Sequence, residues 1–209
     1  MNIIPAILAR NKKEFNEQLE NVQSISKNIQ IDFADGRFVN SKTLVLNKIP
    51  DLNKYKNNFE AHLMVKDPEK YFSQLKKKGF KKIIFHYEAI KKPEEIISKA
   101  RSLKLETWLA INPETEIKKI LPYLNLIDGI LIMGVRPGKS GQRFIPLTIS
   151  KIKQLRKLNK EIKLQIDGGV NFKIARKLKN LGVNNINSGT LITKSENPRE
   201  ILKKLETCI

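Results

Sequence analysis

Eight short apolar segments recur along the chain, and lysine-rich amphipathic stretches separate most of them. Short apolar runs of this kind are typical of buried strands. The predicted strands are Ile3–Leu8, Ile29–Phe33, Phe59–Met64, Ile83–Phe85, Thr107–Ile111, Ile127–Met133, Leu164–Ile166 and Asn185–Asn187. Strands that alternate with helices predict a parallel sheet.

The stretches between these segments carry helix signals. Asp67-Pro68-Glu69 predicts a helix start with Asp67 as the N-cap, and we expect this helix to run to Lys78 before Gly79. Further helices are predicted over Pro93–Ser102, Pro146–Leu158, Phe172–Leu181 and Pro198–Cys208. The segment Leu44–Ile49 predicts at most a short helix.

The series of elements predicts the fold class. Eight strand–helix units within 209 residues match a (β/α)₈ TIM barrel, formed as a single domain by residues 1–209. A doubly wound open sheet is the alternative, but its glycine-rich dinucleotide fingerprint is absent from the sequence.

The composition adds a strong positive charge, which is +19 from 40 Lys+Arg and 21 Asp+Glu. Such an excess is typical of proteins that bind nucleic acid or anionic membranes. Most of it is lysine, however, and the densest run, Lys76 to Lys82, surrounds a predicted helix end, where cations suit the helix dipole. No basic stripe is interleaved with aromatic residues. We therefore favour a solvated basic surface, with nucleic-acid binding as the less favoured alternative.

The remaining composition bears on the compartment. A single cysteine, Cys208, excludes an intramolecular disulfide and a cysteine-based zinc site. No apolar run approaches the roughly 20 residues that a membrane span needs. The segment Met1–Leu8 lacks a basic leader and contains Pro5, so it predicts a strand rather than a signal peptide. We expect a cytoplasmic protein without a membrane partner.

Glycine-containing segments follow the last three predicted strands, where a barrel of this class places its chemistry. They are Gly138-Lys139-Ser140-Gly141, Gly168-Gly169 and Gly189-Thr190. Glycines let backbone N–H groups approach an anion, and a helix N-terminus adds a favourable dipole. Tight turns alone are the alternative, but three such loops together favour a phosphate site.

Two acids, Asp32 and Asp167, stand at the ends of strands two and seven, on roughly opposite sides of a barrel mouth. Two carboxylates facing a substrate suit two-base proton transfer, although capping or ion-pairing roles are the alternative. His62, in strand three, is a candidate ligand for a metal that would stabilise an enediolate, or else a satisfied core residue. His86 follows strand four, outside this set.

Ordered motifs extend this pattern across the chain. They are Ile4–Leu8, Ile31–Val39, Ala61–Val65, Phe85–Ala89, Asn112–Thr115, Ile132–Phe144, Ile166–Val170 and Gly189-Thr190. With these motifs the chain resembles the ribulose-phosphate 3-epimerase family over almost its whole length. The resemblance implies a (β/α)₈ barrel that inverts C3 of a pentulose 5-phosphate, interconverting D-ribulose 5-phosphate and D-xylulose 5-phosphate.

The resemblance also implies a set of site residues. In the family, two histidines and two aspartates hold one divalent metal ion (Zn, Fe, Mn or Mg), and the aspartates double as acid and base. Position by position, the aspartates are Asp32 and Asp167, and one histidine is His62. Methionines that line the family's site match Met64 and Met133. Relatives are often oligomers, so a homo-oligomer is expected.

The chain departs from the family's pattern at several of these positions. The second metal-binding histidine falls at Gln30, a substrate-contacting serine at Ala6 and a strand-two methionine at Ala34. The phosphate loop carries Lys139, and Arg136 replaces a residue that is usually neutral or acidic; these are the two charges that could reach a phosphate. An amide oxygen is a weaker ligand than imidazole for zinc or iron. Gln30 therefore predicts weaker metal binding, a shift toward manganese or magnesium, or no metal.

Three functions remain open beside nucleic-acid binding. The first is an epimerase acting on a pentulose phosphate or a relative such as allulose 6-phosphate. The second is a divergent relative that binds a phosphate ligand with weak or lost catalysis, as the changes at Gln30, Ala6 and Ala34 suggest. The third, a decarboxylase or synthase on the same barrel, is disfavoured because its Asp-x-Lys-x-x-Asp motif has Ala34 and Arg37 at its last two key positions.

Overall fold

Eight parallel strands form a closed barrel in the computed structural model, which describes residues 1–139 and 141–207. Each strand pairs with the next along the chain, and the last pairs with the first. The strands are β1 (Asn2–Ile7), β2 (Asn28–Ala34), β3 (Asn58–Met64), β4 (Phe80–His86), β5 (Glu106–Ile111), β6 (Gly129–Met133), β7 (Lys163–Asp167) and β8 (Asn185–Ser188). The predicted barrel is confirmed, and every predicted strand overlaps an observed one.

The α-helices of the described residues surround the strands. They are α1 (Lys12–Gln23), α2 (Phe72–Lys77), α3 (Pro93–Ser102), α4 (Leu147–Leu158), α5 (Phe172–Asn180), α6 (Thr190–Thr193) and α7 (Pro198–Thr207). Two connections carry only 3₁₀ helices: Leu46–Lys48 after β2, and Ile117–Lys119 with Leu121–Leu126 after β5. The predicted α7 end at Cys208, like the loop residue Ser140, lies outside the described residues.

The predicted start of the second helix is wrong in detail. Asp67 adopts a left-handed conformation with φ 55° and makes no capping hydrogen bond with its side chain. Its carboxylate instead accepts a hydrogen bond from the Lys70 side chain at 3.0 Å. A 3₁₀ turn over Pro68–Lys70 follows, so α2 begins only at Phe72.

The helix α1 is not among those that the sequence pattern singles out. It starts at a well-formed cap, because the Asn11 side chain accepts a hydrogen bond from the Glu14 amide at 2.9 Å. Phe15, Leu19 and Val22 lie four and three residues apart and are buried against the barrel.

Alternation along each strand separates the outer core from the barrel interior. On β2, Ile29, Ile31 and Phe33 belong to the main apolar core. The residues between them, Gln30 and Asp32, point into the barrel, where both are buried. This alternation delivers Asp32 to the carboxyl end of the barrel and places Gln30 one layer below it.

The barrel interior is apolar on one side and polar on the other. The apolar side consists of Ile84, Trp108, Ala110, Leu131, Met133 and Val135. The polar side includes Gln30, Glu60, Lys82, Gln165 and Asn187, all buried. Lys82, which the sequence places in a basic surface run, is only 7% exposed because strand alternation turns it inward. Its ammonium lies 2.9 Å from a Glu60 carboxylate oxygen and 3.6 Å from the Trp108 ring centre.

Candidate active site

A cavity of about 580 Å³ opens at the carboxyl ends of the strands. It gathers nearly all the described residues that the sequence predicts for the site. Its walls include Ala6, Asp32, His62, Met64, Met133, Gly138, Lys139, Gly141, Asp167, Gly168, Gly169, Gly189 and Thr190. Of the other predicted site residues, Gln30 is fully buried outside this lining and Ser140 is not described.

The two acids converge on one side chain in the barrel interior. The amide nitrogen of Gln30 donates to Asp32 Oδ1 at 2.8 Å and to Asp167 Oδ2 at 2.7 Å. The carboxylates therefore meet more closely than their predicted places on opposite sides of the mouth suggest. A single neutral amide supplies an N–H to each of them, which offsets part of the repulsion between two nearby negative charges.

His62 lies beside the same two oxygens. Its Nδ1 is 3.1 Å from Asp32 Oδ1 and 3.4 Å from Asp167 Oδ2. Its Nε2 is 3.0 Å from Nε2 of His86, whose ring is stacked against it. On the far side, His86 Nδ1 lies 3.4 Å from a Glu88 carboxylate oxygen. A row of two imidazoles thus lies between the acids and Glu88, which follows β4.

Burial and charge shift the pKa values of this group in opposite directions. Burial lowers the pKa of His62, but hydrogen bonds to Asp167 and Asp32 outweigh it and raise that pKa to about 9. Burial, reinforced by the negative charge of Asp167, raises the pKa of Asp32 against its hydrogen bond with His62. Burial lowers the pKa of His86. The hydrogen bonds to the two acids thus favour the protonated form of His62.

Three of the four predicted metal ligands fit a divalent ion. One ligand atom from each of Asp32, His62 and Asp167 lies within 4.8 Å of the others, so the described residues include a compact donor set of two carboxylates and an imidazole. These donors suit manganese, iron or zinc. Gln30 presents its nitrogen, not its oxygen, to the two acids. Its role as a ligand stays a prediction.

The loops after β6 and β7 pack against each other through glycines. Gly168 and Gly169 have φ values of +99° and +70°, which side chains rarely tolerate. A Cβ on Gly169 would lie 2.6 Å from the Phe144 backbone, and one on Gly168 would lie 2.3 Å from Val135. These glycines are needed for the close approach of the two loops that line the cavity.

The basic residues near the cavity differ in part from the expected pair. Lys139 lines it, as predicted from the loop. Arg136 lies outside its lining and pairs with Glu114, with Nε 2.8 Å from Oε1. Arg143 lines the cavity instead, although no sequence signal singled it out. Lys139 and Arg143 are thus the cations available to an anion there.

Two residues at the end of β8, Asn187 and Ser188, also line the cavity, and Asn187 among them was not predicted as a site residue. Both are buried. The Asn187 amide nitrogen and the Ser188 hydroxyl have no hydrogen-bond partner among the described residues. Asn187 is in register with Asp167 on the neighbouring strand, which places it on the inward face. Predicting it would have required the strand register, because Asn is common in this lysine- and asparagine-rich chain.

Comparison with known proteins identifies the family to which this chain belongs. Residues 2–193 match the ribulose-phosphate 3 epimerase family, and the chain belongs to that family. A ribulose-phosphate 3-epimerase from Schizosaccharomyces pombe is 32% identical over 212 residues, covering 99% of this chain and 93% of the relative. One from Chlamydia muridarum is 34% identical over 188 residues, covering 86% and 82%. Because epimerases are isomerases, these relatives support isomerase as the general enzyme class of this protein.

A solved structure with the same fold is KGPDC from Streptococcus mutans in complex with D-R5P, with a TM-score of 0.75 over 99% of this chain and 96% of that one. At 13% identity, the likeness concerns the fold alone.

Every helix among the described residues is too short or too polar to cross a bilayer.

Proposed function

We propose that this protein inverts C3 of a ketose phosphate, interconverting D-ribulose 5-phosphate and D-xylulose 5-phosphate. One observation carries the proposal: the carboxylates of Asp32 and Asp167 converge beside a cavity walled by the three glycine segments. Membership of the epimerase family supports this reaction over others that share the barrel.

The phosphate end of the substrate belongs at the glycine loops. Gly168, Gly169 and Gly189 line the cavity, and glycines let backbone N–H groups come close to phosphate oxygens. Lys139 and Arg143 add positive charge to the same cavity. A phosphate held there would extend the sugar carbons toward the two acids.

The acids then exchange the proton on C3. One carboxylate removes it to leave an enediolate, and the carboxylic acid on the other face returns a proton with inverted stereochemistry. The raised pKa of Asp32, caused by burial, suits a group that holds a proton for part of the cycle. A divalent ion held by Asp32, His62 and Asp167 would supply electrostatic stabilisation of the enediolate when bound.

The apolar side of the cavity protects this chemistry. Met64 and Met133 line it and are 2% and 3% exposed. Their flexible thioether side chains adapt to a bound sugar and exclude water, so the charges of the site act in a medium of low dielectric constant.

A second candidate is favoured by Ala6 and Gln30, which alter two positions that touch substrate or metal in the family. It is a relative with a different sugar phosphate, or with a retained phosphate site and weakened catalysis. The protein would then bind inorganic phosphate or a sugar phosphate without producing xylulose 5-phosphate.

We also propose that the protein is cytoplasmic and that it self-associates.

Incubation of the purified protein with D-ribulose 5-phosphate and Mn²⁺, Fe²⁺, Zn²⁺ or Mg²⁺, followed by NMR, tests the choice. We expect D-xylulose 5-phosphate to accumulate with at least one metal. D-allulose 6-phosphate is run in parallel. Turnover of that sugar alone would identify the substrate as a hexulose phosphate. Binding without turnover of either sugar would support the second candidate, a relative that keeps the phosphate site with weakened catalysis.

A further inference from the structure

The unusual residue of the site is Gln30, which stands where the family has a metal-binding histidine. Its amide nitrogen is shared between the two acids, at 2.8 Å from Asp32 and 2.7 Å from Asp167. Ionised carboxylates only accept hydrogen bonds and an amide oxygen donates none, so the nitrogen is the atom that faces the two acids when both are ionised. Gln30 is fully buried, so bulk solvent does not compete for these contacts.

A second polar layer below Gln30 sets the same orientation from the other side. The Lys82 ammonium, which only donates, lies 2.6 Å from Gln165 Oε1. The Gln165 amide nitrogen therefore points the other way, and it lies 2.5 Å from Glu60 Oε1, 2.7 Å from Asn187 Oδ1 and 3.4 Å from Gln30 Oε1. Glu60 and Asn187 take the two N–H groups of this amide, so the 3.4 Å contact with Gln30 is electrostatic. Rotation of the Gln30 amide would bring two NH₂ groups together, and this contact therefore disfavours it.

The buried pair Lys82–Glu60 makes this layer rigid. Its 2.9 Å contact is almost completely shielded from water, and the Trp108 ring covers the ammonium at 3.6 Å. Buried charges are costly unless they are paired and hydrogen-bonded, so a network of this kind tolerates few alternative arrangements. The amide of Gln165 completes it by serving both charges at once.

We propose that Gln30 is a positioning residue that donates hydrogen bonds to Asp32 and Asp167 and does not ligate a metal, and that the Lys82–Glu60 pair fixes its orientation through Gln165. The metal set of this chain is then Asp32, His62 and Asp167 alone. This proposal rests on the proposed epimerase function only in giving Asp32 and Asp167 a catalytic role. The hydrogen bonds of Gln30 and the metal ligands do not depend on it.

Titration calorimetry of the substrate-free protein with Mn²⁺ tests the role of Gln30. We expect Gln30→Leu to lose no more than about 100-fold in Mn²⁺ affinity, the range for loss of a residue that hydrogen-bonds to metal ligands without being one. Gln30→His should bind at least about tenfold more tightly than the parent by supplying a fourth donor. A folded Gln30→Leu variant that loses more than about 100-fold, or a Gln30→His variant that binds no more tightly than the parent, would overturn the proposal.

NMR of the metal-free protein tests the network and needs no Gln30→Leu protein. The side-chain amide signals of Gln30, assigned by their loss in Gln30→His, should shift in the double variant Lys82→Met/Glu60→Leu. Replacing both charges leaves no unpaired buried ion. Lys151→Met, which alters another buried lysine outside the network, is the control and should leave these signals in place. Unchanged signals in the double variant would refute the role of the ion pair. Neither measurement uses a sugar phosphate, so failure here is separate from failure of the epimerase proposal.

Discussion

At the scale of single residues, the site is a compact arrangement of donors around two carboxylates. Strand positions singled out Asp32, Asp167 and His62 at one end of the barrel, and the family resemblance assigned them as a ligand set. The hydrogen bonds of Gln30 could not be predicted, because they depend on which amide atom faces the acids. That choice depends on Lys82 and Gln165, which the sequence pattern places without any site role.

His62 makes the metal-free protein sensitive to pH. Its pKa is raised from an ordinary 6.5 to about 9, because hydrogen bonds to Asp167 and Asp32 outweigh burial. A raised pKa stabilises the fold fully below about pH 6.5, and this stabilisation is lost as the pH rises through 9. Since one pKa unit corresponds to about 1.4 kcal/mol, the loss in unfolding free energy amounts to roughly 3 kcal/mol.

Urea denaturation in the presence of a chelator, between pH 6 and 10, measures this loss. In His62→Gln the decline between about pH 6.5 and 9 should largely disappear. A parent protein whose unfolding free energy is constant or rises across this window would contradict the assignment of His62 as the buried cation.

At the scale of elements, the strands were predictable and the connections were less so. Short apolar runs identified all eight strands because parallel barrel strands are buried on both faces. The connections after β2 and β5 form only 3₁₀ helices, and Asp67 adopts a left-handed conformation instead of capping a helix. Such outcomes depend on tertiary contacts, for example the pairing of Asp67 with Lys70.

The contact between the β6 and β7 loops leads to a prediction about Gly169. Gly169→Ala should weaken binding of inorganic phosphate by about tenfold or more, because its Cβ would collide with the Phe144 backbone at 2.6 Å and push the loops apart. Gly182→Ala is the matched control, since Gly182 has a similar φ of +73° and meets only the flexible Arg156 side chain, at 3.3 Å or beyond.

Isothermal calorimetry with phosphate compares the two variants. Both should lose some stability from the left-handed backbone, by about 1–2 kcal/mol. Only Gly169→Ala should lose phosphate affinity. Equal phosphate affinity in the two variants would show that the loop contact has no part in anion binding.

At the scale of the whole molecule, the net charge of +19 is largely a property of the surface. Part of what looks like surface charge in the sequence is not exposed: Lys82 is paired inside the barrel, and Lys151 is 6% exposed. Of the described lysines and arginines, only Lys139 and Arg143 line the cavity. The charge therefore says little about the chemistry, which resides in three buried or half-buried residues.

A solvated basic surface without a base-reading site predicts weak, salt-sensitive binding to nucleic acid. The protein should be retained on duplex DNA at about 20 mM salt and released at about 150 mM, since phosphate contacts without base readout lose affinity steeply as salt rises. Electrophoretic mobility shifts at both salt concentrations measure this. Retention of one duplex sequence over others at the higher concentration would instead show a specific nucleic-acid site.

We propose that Asp32 and Asp167 transfer the C3 proton of a ketose phosphate. Incubation of the metal-loaded protein with D-ribulose 5-phosphate in deuterated water tests this directly. We expect deuterium at C3 and the appearance of D-xylulose 5-phosphate, with rates reduced about 10²- to 10⁴-fold in Asp32→Asn and Asp167→Asn. Asp51→Asn, at an exposed acid outside the site, should match the parent. A parent protein that incorporates no deuterium at C3 with Mn²⁺, Fe²⁺, Zn²⁺ or Mg²⁺ would contradict the claim.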